Sequence, residues 1–168
     1  VGFIQNSNIL ITKSRYDEIS AYNLESNVII FNNSIGESNQ ILVGQDIAIV
    51  RDDSITILNA QGEFKTLLEF DSDIKNAVFT PDNTMLIVST KEGVTVWGTS
   101  NYQKKDVQFI GTENASNLVV DRSNSYIALR NKDLQFRLYN FKTGDRIYTE
   151  KDDKEVAKNQ LALSNKAQ

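Results

Sequence analysis

The 168-residue sequence contains no cysteine and no histidine. Without cysteine there is no disulfide framework, and without both there is no Cys/His zinc site. A Ser-His-Asp triad, a Cys-His dyad and an imidazole proton shuttle are excluded as well. Basic charge is also short: 18 Lys+Arg stand against 22 Asp+Glu, and the formal net charge of −4 argues against a wide basic surface for nucleic acid. No apolar run approaches the ~18 residues of a spanning helix, so no membrane insertion is expected. Val1 is followed by neither the basic stretch nor the apolar stretch of a secretory signal. Proline occurs once and glycine eight times, few for a chain with so many apparent turns. Asparagine, by contrast, occurs 18 times. Its side chain closes turns and tolerates left-handed backbone. The hydrophobic fraction of 40% and charged fraction of 24% place the chain among folded globular proteins rather than disordered ones.

Two markers repeat along the chain. The first is asparagine leading into an apolar run, at Asn39, Asn76, Asn117 and Asn159, with steps of 37, 41 and 42 residues. The second is a five-residue alternating stretch: Ile19 to Asn23, Ile55 to Asn59, Val94 to Gly98 and Phe136 to Asn140. Aligned on the fourth position (Tyr22, Leu58, Trp97, Tyr139), its steps are 36, 39 and 42. Alternation with period two is the mark of a strand, and repetition every ~40 residues is that of a propeller blade. Further strand-like runs precede and follow each alternating stretch, the latter at 28–31, 64–70, 107–110 and 146–149. Each unit thus holds four short strands, here a to d, joined by links rich in Asn, Asp, Ser and Gly. In Thr80-Pro81-Asp82-Asn83 the proline is placed for a type I turn, and Gly144 is available for a positive φ. The expected fold is all-β, a β-propeller of four-stranded antiparallel blades.

Particular residues carry a family resemblance. Thr80-Pro81-Asp82-Asn83-Thr84-Met85-Leu86-Ile87 resembles the Ser-Pro-Asp-Gly turn between strands a and b of WD-repeat propellers. Val94-Thr95-Val96-Trp97 resembles their strand c, and Leu138-Tyr139-Asn140-Phe141-Lys142-Thr143-Gly144 resembles their Trp-Asp-x-x-Thr-Gly ending. The chain lacks the family's Gly-His dipeptide, and no strand c ends in Trp-Asp, so the family's Asp-His-Ser/Thr-Trp hydrogen-bond network cannot form in full. The resemblance implies a divergent WD-like propeller.

The repeat divides the chain into blades at 1–35, 36–73, 74–113 and 114–154. Residues 155–168 follow, read either as the inner strand of a further blade or as a C-terminal helix capped by Asp152 or Asp153. Four blades and a remainder do not close neatly. The expectation is an incomplete ring, part of a larger propeller or one half of a ring finished by another chain.

Candidate chemistry concentrates in the turns between strands b and c. They pair a basic residue with a following acid: Arg15 and Tyr16 with Asp17, Arg51 with Asp52, Lys91 with Glu92, and Lys132 with Asp133. Two readings stay open, a charged rim that engages a partner and ordinary solvated hairpins. Asp71-Ser72-Asp73 begins like a calcium loop, but Lys75 holds the next ligand position and no terminal glutamate follows. Adjacent acids at Asp52-Asp53 and Asp152-Asp153 point apart on an extended chain. No metal site and no cofactor are expected, since phosphate loops and dinucleotide fingerprints are missing. Tyr22, Trp97 and Tyr139 share one phase and are expected in the core, whereas Tyr16, Tyr102 and Tyr148 are candidates for exposed contacts.

The function expected by analogy of fold is a non-enzymatic protein-interaction scaffold, with other proteins as partners and a place as subunit of a larger complex. The alternative is a carboxylate-based enzyme or ligand-binding propeller with a central-funnel site. An intracellular, cytoplasmic setting fits the missing cysteines.

Overall fold

The computed structural model describes residues 2–131 and 135–151 of the chain. The segment 155–168, expected as strand or helix, lies outside the described residues, as do Lys132 and Asp133. Within them the structure is all β, with no helix. Sixteen strands form four sheets of four, each antiparallel and each in simple sequence order. The first sheet is β1 (Gly2–Phe3), β2 (Ile9–Lys13), β3 (Glu18–Asn23) and β4 (Val28–Ser34). The second is β5 (Gln40–Val43), β6 (Ile47–Val50), β7 (Ser54–Leu58) and β8 (Phe64–Glu69). The third is β9 (Ile74–Phe79), β10 (Met85–Thr90), β11 (Val94–Gly98) and β12 (Gln103–Lys104). The fourth is β13 (Ala115–Val120), β14 (Tyr126–Asn131), β15 (Gln135–Asn140) and β16 (Arg146–Lys151). The chain divides after Asp71 into two compact units of two sheets each.

The alternating stretches are strands β3, β7, β11 and β15, and their inward positions are buried as period two requires at Ile19 and Ala21, Ile55 and Ile57, and Val94 and Val96. In β15 the pattern is reversed. Phe136 and Leu138 are only half-buried, and Tyr139 on the other face is fully buried. The fourth position of the marker is also where strands c and d slip by one residue. Bulges fall between Ala21 and Tyr22, Ile57 and Leu58, and Leu138 and Tyr139. A bulge bends the outer strand and sharpens the twist.

Each unit has its own core. In the first, Ile4, Ile11, Ile19, Ile35, Ile47 and Ile49 pack with Ala21 and Leu58. In the second, Ile87, Val96, Leu118, Ile127 and Leu129 surround Phe109, Tyr139 and Phe141. Phe109 meets Tyr139 edge-on at 5.8 Å and lies nearly parallel to Phe141 at 6.4 Å. Burying one such isoleucine is worth about 1.5–3 kcal/mol, so branched aliphatic packing dominates both cores.

Residues 107–110, expected as a d strand, are not one. The outer strand of the third sheet is β12, which pairs only Trp97 with Lys104 and Gly98 with Gln103. Tyr102 turns the chain back with a φ of 52° and a bond from its N–H to the Gly98 carbonyl, and its ring is buried rather than exposed. Of the apolar residues that follow, Val107 and Phe109 serve the core, with Phe109 inserted beside Tyr139, while Ile110 is exposed. Alternation in the sequence here reflects packing of a linker and not pairing of a strand.

Asparagine does the work that proline and glycine leave undone. Five of the seven described non-glycine residues with positive φ are asparagine: Asn6, Asn27, Asn83, Asn114 and Asn124. The fifth position of the strand-c marker explains itself in the same way. The side-chain carbonyls of Asn23, Asn59 and Asn140 each accept two backbone N–H bonds of the following turn, from Glu25 and Ser26, Gln61 and Glu63, and Lys142 and Thr143. Between strands a and b the same device uses aspartate. Asp82 accepts from the Thr80 hydroxyl and from the N–H and hydroxyl of Thr84. Asp121 accepts from the N–H groups of Ser123, Ser125 and Tyr126.

Two predictions follow from these turns. At Asp82 and Asp121 partial burial pushes the carboxyl pKa up, but the hydrogen bonds from Thr80 and Thr84, and from Ser123, Ser125 and Tyr126, outweigh it and hold the value below the ordinary one. The folded pKa therefore lies below the unfolded one. The resulting stability is present above about pH 5 and fades as pH falls through about 4 and the lowered values. Urea unfolding followed against pH should show this loss, and Asp82→Asn with Asp121→Asn should flatten it. The second concerns Gly144, which has a φ of +77° and sits where a Cβ would collide with the Gln108 carbonyl oxygen. Gly36 has a φ of +68° and open space around it. Gly36→Ala should cost about 1 kcal/mol in urea unfolding, and Gly144→Ala clearly more.

Candidate functional site

In the first unit the turn between β2 and β3 is closed from within. The Ser14 N–H donates to the Glu18 carbonyl at 2.8 Å, and the Ser14 hydroxyl accepts the N–H of Tyr16 at 3.1 Å. Asp17 takes the left-handed conformation and pairs with Lys13 at 3.0 Å. This bracing presents Tyr16 to solvent at 68% exposure. The Arg15 guanidinium lies 4.7 Å from the centre of the Tyr16 ring and donates to its hydroxyl. The pair is a flat, polar-edged and cationic tip, a chemistry suited to acidic or aromatic groups.

The next turn, at Arg51, is arranged differently. Arg51 reaches the linker between the first and second sheets, where Nη2 donates to the Ile35 carbonyl at 2.6 Å and Nη1 to the Thr56 hydroxyl at 2.8 Å. The same linker is held at the Ile35 N–H by the Asp17 carbonyl, at Ser38 by Lys13, and at Asn39 by Asp52 (2.8 Å). Charged turn residues on both sides thus grip one stretch of chain. Beside it opens a cleft of about 350 Å³, lined among others by Asn32, Ser34, Arg51 and Thr56.

In the second unit the Lys91-Glu92 turn is exposed. The Glu92 N–H donates to the Thr90 hydroxyl, and the turn is gripped from the linker by Thr112. The Thr112 hydroxyl accepts the Val94 N–H at 3.0 Å and donates to the Phe109 carbonyl at 2.8 Å, and it is buried. The buried Ser89 hydroxyl donates to the Ala115 carbonyl at 2.8 Å. The Tyr139 hydroxyl donates to the Ile110 carbonyl at 2.9 Å. Burial raises the Tyr139 pKa, against the nearby charges of Arg137 and Arg146, so the phenol stays a donor. Beneath the linker, a Cβ on Gly111 would meet Arg137 Nη1 at 2.6 Å.

The eight residues singled out in the sequence therefore separate by environment. Arg15, Tyr16, Lys91 and Glu92 stand at exposed tips, although Arg15 is committed to Tyr16. Arg51 and Asp52 are bonded to the linker, and Lys132 and Asp133 lie outside the described residues. Of the tyrosines, Tyr16 and Tyr148 are exposed, Tyr102 is buried, and Tyr22 and Trp97 are half-buried beside the fully buried Tyr139. Sequence reasoning did not find the linker residues Ile35, Ile110 and Thr112. One signal was there: an Ile-Gly pair recurs at Ile35-Gly36 and Ile110-Gly111, 75 residues or about two repeats apart. In both, the isoleucine carbonyl is bound by a side chain of the following sheet, Arg51 or Tyr139. No group of three or more Asp and Glu that could hold a metal ion occurs among the described residues.

No protein-family model matches the chain, and no curated protein sequence does. Among solved structures, a chain from a crystal structure of mitotic checkpoint complex is similar, with a TM-score of 0.68 and 12% identity. The match covers 89% of this chain and 49% of that one, so the chain spans about half the length of its structural neighbour. With the four antiparallel four-stranded sheets, this makes the fold a WD-like propeller fold. At this identity the likeness carries architecture alone. The architecture is also common, since 1047 solved chains match.

Thr112→Val keeps the shape and removes the hydroxyl. It leaves the Val94 N–H and the Phe109 carbonyl buried without their partner. The expected loss is about 1–3 kcal/mol by urea unfolding, with Thr112→Ser recovering most of it.

Proposed function

We propose that the chain is a non-enzymatic protein-interaction scaffold of the WD-repeat-like propeller type, serving as a subunit of a larger complex. In this reading 1–35, 36–73, 74–113 and 114–154 are each one blade, and the b–c turns are the contact surface. The observation that carries it is the combination of rigidity and exposure at these turns. The Ser14 hydroxyl and the Thr112 hydroxyl fix the backbone of turns whose tips carry exposed charge and the Arg15-Tyr16 stack. A tip held in one conformation loses little entropy when a partner docks, and Tyr and Arg are the side chains most often found at the energetic centre of protein interfaces. Arg51 and Asp52 contribute by fixing the linker, and Lys132 and Asp133 continue the pattern.

The test is affinity capture with the full chain followed by mass spectrometry, comparing the native protein with the double variant Arg15→Glu, Lys91→Glu. Both residues are at exposed tips, so the unfolding free energy from urea titration should stay within about 0.5 kcal/mol of the native value. The expected outcome is loss of the specific partners at unchanged stability. Retention of the same partners at the same occupancy by the double variant removes the b–c turns as the contact surface.

A further inference from the structure

An outer strand of a sheet offers unpaired backbone groups to any other chain, and proteins blunt such edges with charge, brevity or bulges. The four outer strands here are unequal in this respect. β8 carries Lys65 and Glu69, β16 carries Arg146, Glu150 and Lys151, and β12 is two residues long with Lys104 and a following Lys105. β4 is seven residues long and has no such protection. From Ser26 to Gly36 there is no charged residue and no proline. Val28 and Ile29 are each 55% exposed and Ile30 is 37% exposed, so apolar side chains stand free where the edge is also open. The bulge at Ile30 does not set β4 apart, because β8 and β16 have bulges in the same place at Lys65 and Ile147. High β-propensity, no charge and no proline together mark a segment able to pair with its own kind.

We propose that β4 is a dimerisation edge: it pairs antiparallel with β4 of a second copy of this chain, joining the two first sheets into one about a two-fold axis. Charge decides for a second copy. In any antiparallel register within 27–36, no ion is buried and no like charges meet. The same operation centred on β16 would set Arg146 opposite Lys151. The apolar half of β4, Val28 to Ile30, meets itself, while the polar half is engaged within its own unit, where Asn33 donates to the Gly62 carbonyl and Asn32 accepts from Ser20. A two-fold arrangement also closes, giving a dimer and not a fibre.

Sedimentation velocity of the full chain over a wide concentration range tests this, together with hydrogen exchange at the β4 amides. The native chain should pass from monomer to dimer as concentration rises, with β4 amides more protected in the dimer. Ile29→Lys should weaken association at least about tenfold. Leu67→Lys, a matched change at an exposed leucine of β8, should leave it unchanged. If Ile29→Lys compromises folding, Ile29→Cys supplies the only thiol in the chain. Mild oxidation should then give a cross-linked dimer that Leu67→Cys does not. A native chain that is monomeric throughout overturns the proposal, whether its β4 amides are protected, which would place another segment of the same chain there, or open, which would leave the edge for a different protein. Equal loss of association in Leu67→Lys and Ile29→Lys overturns it as well.

Discussion

Chain leaving one buried sheet for the next must satisfy its backbone polar groups at the joint, and the rest of this structure depends on how that is done. An unpaired carbonyl in such a place costs as much as the loss of a hydrogen bond, or more. The histidine-centred network of WD-repeat propellers is not open to a chain without histidine. Here each unit closes its joint with the side chains it has. In the first, Arg51 crosses from the second sheet to the Ile35 carbonyl. In the second, Ile110 is exposed and it is the buried Tyr139 that finds its acceptor there, at the Ile110 carbonyl, while Thr112 ties the linker to the start of β11. The joints also steady the turns beside them: the Arg51 turn is bonded to its linker, and Thr112 holds the start of β11 next to the Lys91-Glu92 tip.

The second organising choice is asparagine. It enters the left-handed region where glycine is scarce, and it closes the c–d turns through its side-chain carbonyl. Both uses follow from a short amide that competes with the backbone for its own N–H groups. The residue type that weakens helices thus punctuates an all-β chain. Its spacing makes the repeat visible in a chain without a Trp-Asp dipeptide.

Much of the fold was legible because it is written locally. Period-two alternation at Ile19 to Asn23 or Val94 to Gly98 needs no knowledge of distant residues, and neither does the turn at Pro81. Failures came where a residue answers to something remote. Val107 and Phe109 alternate like a strand, but Phe109 is drawn to Tyr139 and Phe141, 30 and 32 residues further along the chain. Tyr102 reads as an exposed loop tyrosine, yet the turn at Gly98 folds it inward. At the candidate surface the sequence showed the charge pairs but not their engagement. Nothing adjacent to Arg51 announces a bond to Ile35. By contrast, the Arg15-Tyr16 stack joins sequence neighbours and lies where the sequence directed attention.

The joints have a consequence for how the protein meets acid. An imidazole at such a place would gain a proton near neutrality and could release its neighbours in a mildly acidic compartment. A threonine hydroxyl does not titrate, and the Tyr139 phenol is moved further from neutrality by burial. The Thr112 and Tyr139 hydrogen bonds that tie the third sheet to the fourth therefore do not change in the range where an imidazole would titrate.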